Sequence, residues 1–275
     1  MTNETGTLET NGARIYYEVE GSGEAVVLIH AGVANLRMWD DQVAALRDRY
    51  RLIRYDTRGY GRTETDAVPF SNRADIAALL DHLGEERAHV VGLSRGAMIA
   101  LDFTIESPDR VRSLAVAGGG IGGYQSPEES PEETFAEADR LLDAQDWEGI
   151  TDWETAYWAD GPGQPAGRVD PELRSRVHDW ILSNYRAEKV DGEPQPLDPP
   201  AVGRLGDLRA QLLVMYGTLD DPGTSESMRH LAETVPGARL EVFAGAAHMM
   251  NLEQPERFNA LLGEHLASVR PPVPG

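Results

Sequence analysis

The sequence predicts an α/β fold in which a mostly parallel, doubly wound sheet carries an inserted helical cap. Short apolar runs of strand length alternate with segments of helical periodicity near both ends of the chain, and this alternation is typical of parallel βαβ units. The run EAVVLIH at 24–30 has no polar alternation, which indicates a strand buried on both faces of a sheet. In between, residues 122–204 show helical patterns without a strand-like run. We therefore expect one core built from residues 1–121 and 205–275, with 122–204 as the cap, or lid.

The individual elements follow from periodicity and from turn residues. Strands over 7–10 and 14–20 are separated by the turn pair Asn11-Gly12, which favours a tight hairpin. Apolar runs predict further strands over 24–30, 50–56, 88–93, 111–118, 211–217 and 239–245. Apolar residues at helical spacing predict core helices over 42–48, 71–83, 96–106, 226–234 and 255–269, and cap helices near 132–144, 148–157 and 171–185.

Composition restricts the classes of function. The 275 residues include 25 Lys and Arg against 46 Asp and Glu, and the net charge of −21 opposes binding to nucleic acid or to an anionic membrane. Cysteine is absent, which excludes disulfides and thiolate nucleophiles. The seven histidines show no metal-ligand spacing, and no apolar run approaches the ~18 residues of a membrane span. The N-terminal segment is polar and acidic and does not look like a signal peptide, so we expect a cytoplasmic protein. We also expect neither a metal nor a cofactor.

The stretch VGLSRGA places a serine between two glycines, where a predicted strand passes into a predicted helix. This is the context of a nucleophile elbow, in which the serine occupies a strained turn. Small residues such as Gly92 and Gly96 avoid clashes with the neighbouring strand and helix. The hydroxyl of Ser94 is then presented at the carboxyl edge of the sheet, where open α/β folds bind ligands. The backbone N–H of Arg95 is the expected donor to an oxyanion.

A nucleophilic serine needs a histidine base and an acid that orients it. The strand over 211–217 delivers Asp220 into the following loop, and the strand over 239–245 delivers His248. All three side chains therefore follow parallel strands at one edge of the sheet, in the chain order of a serine, an acid and a histidine. Asp221 is the alternative acid, but it precedes a proline and is better explained as a turn former.

These segments resemble the α/β-hydrolase fold superfamily, in its branch with a helical cap. The resemblance covers nearly all of the core, and it rests on LIHAGVANLRMWDDQ, YDTRGYGRT, VGLSRGAMIALDF, YGTLDD and AAHMMNLEQPERFN. It implies the neighbourhood of esterases, enol-lactonases and cofactor-free haloperoxidase-like perhydrolases. It also implies that the loop after the third strand supplies a second oxyanion amide, that of Gly32, with Val33 as the alternative. Family members usually carry glycine where this chain has Ala31.

The substrate pocket is harder to predict from the sequence. The cap is rich in aromatic residues, and we expect Trp153 and Trp158 to face the substrate. Val33, and Met249 with its neighbour Met250 beside the histidine, are the expected contributions of the core. These side chains predict an apolar or aromatic substrate. The guanidinium of Arg95 is expected to pair with a neighbouring acid rather than with a substrate carboxylate.

The predicted function is that of a cofactor-independent serine hydrolase, which cleaves a small-molecule ester or lactone through an acyl-enzyme. A serine nucleophile in place of an aspartate argues against haloalkane dehalogenase and epoxide hydrolase activity. The same triad serves C–C bond hydrolysis in a β-diketone, or a lyase or cyclase reaction, so these alternatives stay open. A ligand-binding receptor with little turnover is the alternative from a different class of protein.

Overall fold

The computed structural model describes residues 2–128, 130–187, 190 and 192–269. The strands are β1 Thr2–Thr10, β2 Ala13–Gly21, β3 Glu24–Ile29, β4 Tyr50–Tyr55, β5 Glu64–Thr65, β6 Pro69–Phe70, β7 Ala88–Leu93, β8 Val111–Ala117, β9 Glu193–Pro194, β10 Gln211–Gly217 and β11 Arg239–Phe243. The central sheet has the order β1-β2-β4-β3-β7-β8-β10-β11, and β5 pairs with β2 beside this path. From β4 to β11 the neighbouring strands are parallel, whereas β1, β2 and β5 pair antiparallel. The predicted α/β class with a mostly parallel sheet is confirmed.

Helices cover both the core and the predicted cap. They are α1 Asp40–Leu46, α2 Asn72–His82, α3 Arg95–Glu106, α4 Glu132–Asp143, α5 Trp147–Glu154, α6 Pro171–Arg186, α7 Pro222–Thr234, α8 Met250–Glu253 and α9 Pro255–Ser268. A π-helical segment over Thr155–Asp160 continues α5. None of the helices in the described part of the chain is long and apolar enough to cross a membrane.

The position of β3 in the sheet determines where a ligand can bind. β3 pairs with β4 on one side and with β7 on the other, so the chain changes direction across the sheet at this strand. In open α/β sheets such a switch point opens a crevice at the carboxyl ends of the strands. The loops that follow β3, β7, β10 and β11 leave this same edge. They carry Gly32, Ser94, Asp220 and His248.

The buried strand β3 packs hydrophobic side chains on both faces of the sheet. Val27 and Ile29 belong to one core cluster, whereas Val26 and Leu28 belong to another, and all four side chains are fully buried. This explains why the strand reads as an unbroken apolar run rather than as an alternation.

The structure differs from the sequence predictions in the cap segment and at the start of a core helix, and β1 begins at Thr2, five residues earlier than predicted. The cap segment is not wholly helical, because β9 within it pairs with β6 of the core. Helix α7 begins at Pro222, four residues earlier than predicted, because the Asp221 side chain accepts a hydrogen bond from Thr224 N (3.0 Å) and caps the helix. A proline in the first turn suits such a start, since its missing N–H would have no intrahelical acceptor.

The elbow between β7 and α3 depends on two close backbone approaches. A Cβ atom at Gly92 would lie 2.1 Å from the carbonyl oxygen of Gly96, and one at Gly96 would lie 2.1 Å from that of Ile29. Ser94 itself has φ 58° and ψ −122°, a strained conformation for a residue with a side chain. Helix α3 can therefore start directly against β3 only because both flanking positions are glycine.

We expect Gly96→Ala to lower the free energy of unfolding by about 3 kcal/mol or more, because the added methyl group meets rigid backbone rather than a movable side chain. Urea unfolding at equilibrium measures this. The matched control is Gly203→Ala, an exposed position where no atom lies within 4 Å of the added methyl group, and its effect should stay within about 1 kcal/mol. Equal losses for the two variants would contradict the steric account.

Candidate active site

Asp220 and His248 form a directly bonded pair. Nδ1 of His248 lies 2.9 Å and 3.0 Å from the two carboxylate oxygens of Asp220. Both side chains are almost completely buried. A carboxylate accepts hydrogen bonds, so the pair fixes the histidine tautomer with the proton on Nδ1. The other ring nitrogen, Nε2, is then free to act as a base.

Ser94 and His248 line one cavity of about 290 Å³ at the carboxyl edge of the sheet. The remaining wall is formed by core and cap residues together. They are Gly32, Val33, Tyr60, Arg95, Glu154, Trp158, Ile181, Asn184 and Tyr185. The ring of Trp158 lies 4.6 Å from that of His248, centroid to centroid, so the predicted cap segment packs directly on this histidine.

Asp221 has a different role from its neighbour Asp220. Its carboxylate accepts hydrogen bonds from the hydroxyls of Tyr157 (2.7 Å) and Ser130, both in the predicted cap segment. Burial alone would raise the pKa of the Asp221 carboxyl, but these two bonds and those from the backbone of Gly223 and Thr224 hold it below its ordinary value. The Asp220 carboxylate therefore bonds to His248, whereas the Asp221 carboxylate bonds to Tyr157 and Ser130 of the predicted cap segment.

The loop after β3 presents two unused backbone donors. Nδ1 of His30 lies 2.7 Å from the carbonyl oxygen of Ala31, and Nε2 of His30 accepts from Thr57 N–H (3.0 Å). A turn bond from Ala34 N to the Ala31 carbonyl (3.1 Å) closes the loop. Within the described residues the amides of Gly32 and Val33 donate no hydrogen bond. The Arg95 amide also lacks an intrahelical acceptor, because it is the first residue of α3.

The expectation that Arg95 pairs with a neighbouring acid is wrong. Its guanidinium donates to the Thr57 hydroxyl (2.6 Å) and lies over the ring of Tyr60, 4.9 Å from the centroid. No carboxylate in the described part of the chain forms an ion pair with it. A hydroxyl and an aromatic face are enough to hold the planar group, and the cation remains at the cavity wall.

Two of the four predicted pocket residues lie elsewhere. Val33 and Trp158 line the cavity as expected. Met249 is fully buried in the hydrophobic core, since its loop turns inward before α8. Trp153 packs on Phe135 and Tyr157, with centroid distances of 5.8 Å and 4.9 Å. Successive residues of a helix point about 100° apart, so it is the next residue of α5 that reaches the cavity.

Sequence reasoning missed two kinds of site residue. Gly118 follows β8 with φ +52°, and a Cβ there would lie 3.1 Å from Asp220 Oδ2 and 3.3 Å from His248 Nδ1. Its position after a parallel strand, at the sheet edge that carries Ser94 and His248, could have predicted this from the sequence. Glu154, Asn184 and Tyr185 of the cap carried none, because helical periodicity does not show which side of a lid faces the ligand.

Glu154 is a largely buried carboxyl group in the cavity wall. Burial raises its pKa to about 7, although the hydrogen bond from the Tyr185 hydroxyl (3.0 Å) acts in the opposite direction. In the unfolded chain the same group ionises near its ordinary value of 4.5. Between these two pH values the folded protein holds a proton that the unfolded chain has lost, so this group makes folding less favourable as the pH rises.

Glu154→Gln is therefore expected to increase the free energy of unfolding more at pH 8.5 than at pH 5.5, by about 2 kcal/mol, since one pKa unit corresponds to about 1.4 kcal/mol. Urea titrations at both pH values measure the difference. The control is Glu148→Gln on the same helix, where the side chain is 60% exposed and pairs with Arg186 at the surface, so its effect on the free energy of unfolding should stay below about 1 kcal/mol. A Glu154→Gln variant whose stability follows the wild-type pH profile would contradict the assignment.

Comparison with known proteins supports the fold and the relationship. The 2-hydroxy-6-oxononadienedioate/2-hydroxy-6-oxononatrienedioate hydrolase of Burkholderia vietnamiensis is 29% identical to this chain, over 92% of this chain and 91% of the relative. The 3-oxoadipate enol-lactonase 2 of Acinetobacter baylyi is 28% identical, over 92% and 93%. The malate-bound structure of a thermophilic esterase from Thermogutta terrifontis has a TM-score of 0.76 and 25% identity, and the match covers 98% of this chain and all of that one.

The sequence profile of the alpha/beta hydrolase family matches residues 26–261, which is most of the chain. This range contains the elbow serine, the acid and the histidine described above. The predicted resemblance is therefore confirmed, and with it the prediction of a hydrolase at the level of the family. The chain belongs to the alpha/beta hydrolase family.

Proposed function

We propose that this protein is a serine hydrolase that cleaves a carboxylic ester or a lactone through an acyl-enzyme. The observation that carries the proposal is the buried Asp220–His248 pair beside a strained Ser94, with Ser94 and His248 lining one cavity. The similarity to an enol-lactonase and to an esterase supports this class of substrate. A cavity of about 290 Å³ suits a small substrate.

The reaction follows from the arrangement of these groups. Nε2 of His248 takes the proton of the Ser94 hydroxyl while Oγ attacks the carbonyl carbon, and Asp220 stabilises the imidazolium that forms. The oxyanion accepts hydrogen bonds from the amides of Arg95 and Gly32, at the positive end of α3. Collapse of this intermediate breaks the C–O bond, and the imidazolium protonates the departing alcohol oxygen.

The second half of the reaction regenerates the enzyme. His248 removes a proton from a water molecule, and the hydroxide attacks the acyl carbon of the ester on Ser94. The second tetrahedral intermediate expels Oγ, which recovers the proton from His248, and the carboxylic acid leaves. For a lactone the alcohol stays attached to the acyl chain, so a single hydroxy acid is released.

Hydrolysis of a C–C bond is the second candidate, because a relative at 29% identity is named as a hydrolase of 2-hydroxy-6-oxo dienedioates. The same serine and histidine would then act on a ketone carbonyl, and the leaving group would be a carbanion that needs a proton on carbon. Rates on short esters, aryl esters, lactones and β-diketones separate the two candidates. A preference for diketones would favour C–C hydrolysis.

A fluorophosphonate probe is expected to label the folded protein once, at Ser94, because only an activated serine attacks phosphorus at a useful rate. Ser94→Ala should abolish the label, and His248→Ala should remove most of it. Peptide mapping by mass spectrometry locates the adduct. The exposed Ser22→Ala is the matched control and should label like the wild type. Labelling that survives Ser94→Ala would overturn the assignment of the nucleophile.

The two neighbouring acids are expected to differ sharply when each is changed to asparagine. Asp220→Asn should lower kcat for p-nitrophenyl acetate by about 10³–10⁴, the loss typical of a triad acid. Asp221→Asn should lower kcat by less than about tenfold and reduce Tm, since it weakens the hydrogen bonds to Tyr157 and Ser130 and the cap of α7. Kinetics and thermal unfolding of both variants check this, and the reverse order would move the acid to Asp221.

A further inference from the structure

The cap brings a carboxyl group into the cavity that the proposed mechanism does not use. Glu154 ends α5, and the hydroxyl of Tyr185 on α6 donates a hydrogen bond to it. The ring of Tyr185 is itself fixed by stacking on Trp147, with a centroid distance of 5.6 Å and an interplanar angle of 5°. Glu154 and Tyr185 thus form a rigid pair in the same wall as Ser94 and His248.

Buried acids elsewhere in this protein have either a cation or several hydrogen-bond donors as partners, as Asp221 has with Tyr157, Ser130 and Thr224. Asp75 accepts two hydrogen bonds of 2.8 Å from the guanidinium of Arg58. Asp160 in the cap is paired with Arg174 at 3.0 Å. Glu154 has no cation partner among the described residues, and Tyr185 is the donor that it has. Because an ionised carboxylate accepts about four hydrogen bonds, the partly buried Glu154 is left with acceptor positions that no protein donor among the described residues fills.

The pair presents acceptors to the cavity. The Tyr185 hydroxyl donates its single hydrogen to Glu154, so toward a ligand its oxygen can only accept a hydrogen bond. The nearby Asn184 donates from Nδ2 to the Ala34 carbonyl (3.2 Å), which leaves its Oδ1 able to accept. The cation in this wall, Arg95, is instead attached to the core and held by Thr57 and Tyr60. The part of the wall formed by Glu154 and Tyr185 therefore offers acceptors to a donor on the ligand.

We propose that Glu154 is a specificity-determining residue, which binds a hydrogen-bond donor on the substrate, a hydroxyl or a protonated amine, in the part of the molecule that lies against the cap. The inference rests on the proposed ester or lactone hydrolysis and names the chemistry of its substrate. It adds one polar contact to the apolar or aromatic substrate that the sequence predicts. A donor from the ligand completes the hydrogen bonding of a carboxylate that the protein leaves incomplete.

The test compares matched esters that differ by one donor. On the acyl side these are p-nitrophenyl butanoate, 3-hydroxybutanoate and 3-aminobutanoate, and on the alcohol side propyl and 2-hydroxyethyl butanoate. The readout is the ratio of kcat/KM for the donor ester to kcat/KM for its plain partner, in which effects common to both esters cancel. On at least one side we expect a ratio of about tenfold or more, the range of a hydrogen bond to a charged group.

Two substitutions at Glu154 distinguish a preference for a hydroxyl donor from a preference for an amine donor. Glu154→Met removes the acceptor while keeping the length, and it should reduce every elevated ratio to near one. Glu154→Gln keeps an acceptor but not the charge, so it should abolish the preference for the amine and lower that for the hydroxyl only a few-fold. The ratio in the wild type should also rise with pH through about 7, as Glu154 ionises, and stay flat in Glu154→Gln.

The control variant is Glu148→Gln, with the same chemical change on an exposed part of α5, and its ratios should equal those of the wild type. Fluorophosphonate labelling of Ser94 in each variant shows that the fold and the nucleophile are intact. If no ester is hydrolysed and no label forms, the proposed function fails. If the esters are hydrolysed but all wild-type ratios are near one, or the ratios survive Glu154→Met, then the inference about Glu154 is overturned.

Discussion

The close approach of α3 to the central strands is the constraint on which the rest of the site depends. A helix that starts directly after β7 needs two positions without a side chain, Gly92 and Gly96, and it holds Ser94 in a left-handed conformation between them. The strain is tolerated because the two strands packed against this turn, β3 and β7, are almost completely buried. Once this turn is formed, the serine and the Arg95 amide are fixed at the same edge as the loops after β3, β10 and β11.

The dipeptide Asp220-Asp221 links the chemistry to the cap. Asp220 bonds to His248, while Asp221 accepts from Tyr157 in the π-helical segment. The next residue of that segment, Trp158, contacts the ring of His248. Two consecutive residues of the predicted cap segment therefore contact Asp221 and His248. A substitution in this segment would therefore alter the orientation of the His248 ring as well as the shape of the cavity.

The sequence predicted most of what the backbone determines and little of what the cap side chains determine. Strand β3 and the elbow could be predicted because burial on two faces and steric exclusion leave strong patterns. Trp153 was expected in the pocket where Glu154 lies instead, since composition does not give the rotation of a helix about its axis. The surroundings of Arg95 depended on Thr57 and Tyr60, which are distant in sequence and share no motif with it.

The cap is held at points that are also parts of the site. Asn184 bonds to Ala34, next to the loop of the proposed oxyanion donors, and Arg168 pairs with Glu253 at 2.7 Å beyond His248. Single hydrogen bonds of this kind contribute about 1 kcal/mol each, so the position of the cap depends on several of them together. The Asn184–Ala34 and Arg168–Glu253 bonds lie beside the loops that carry the proposed catalytic residues. The same bonds therefore close the cavity and position the cap residues of its wall relative to Ser94. The proposed selection by Glu154 and the proposed attack by Ser94 would therefore depend on one shared geometry.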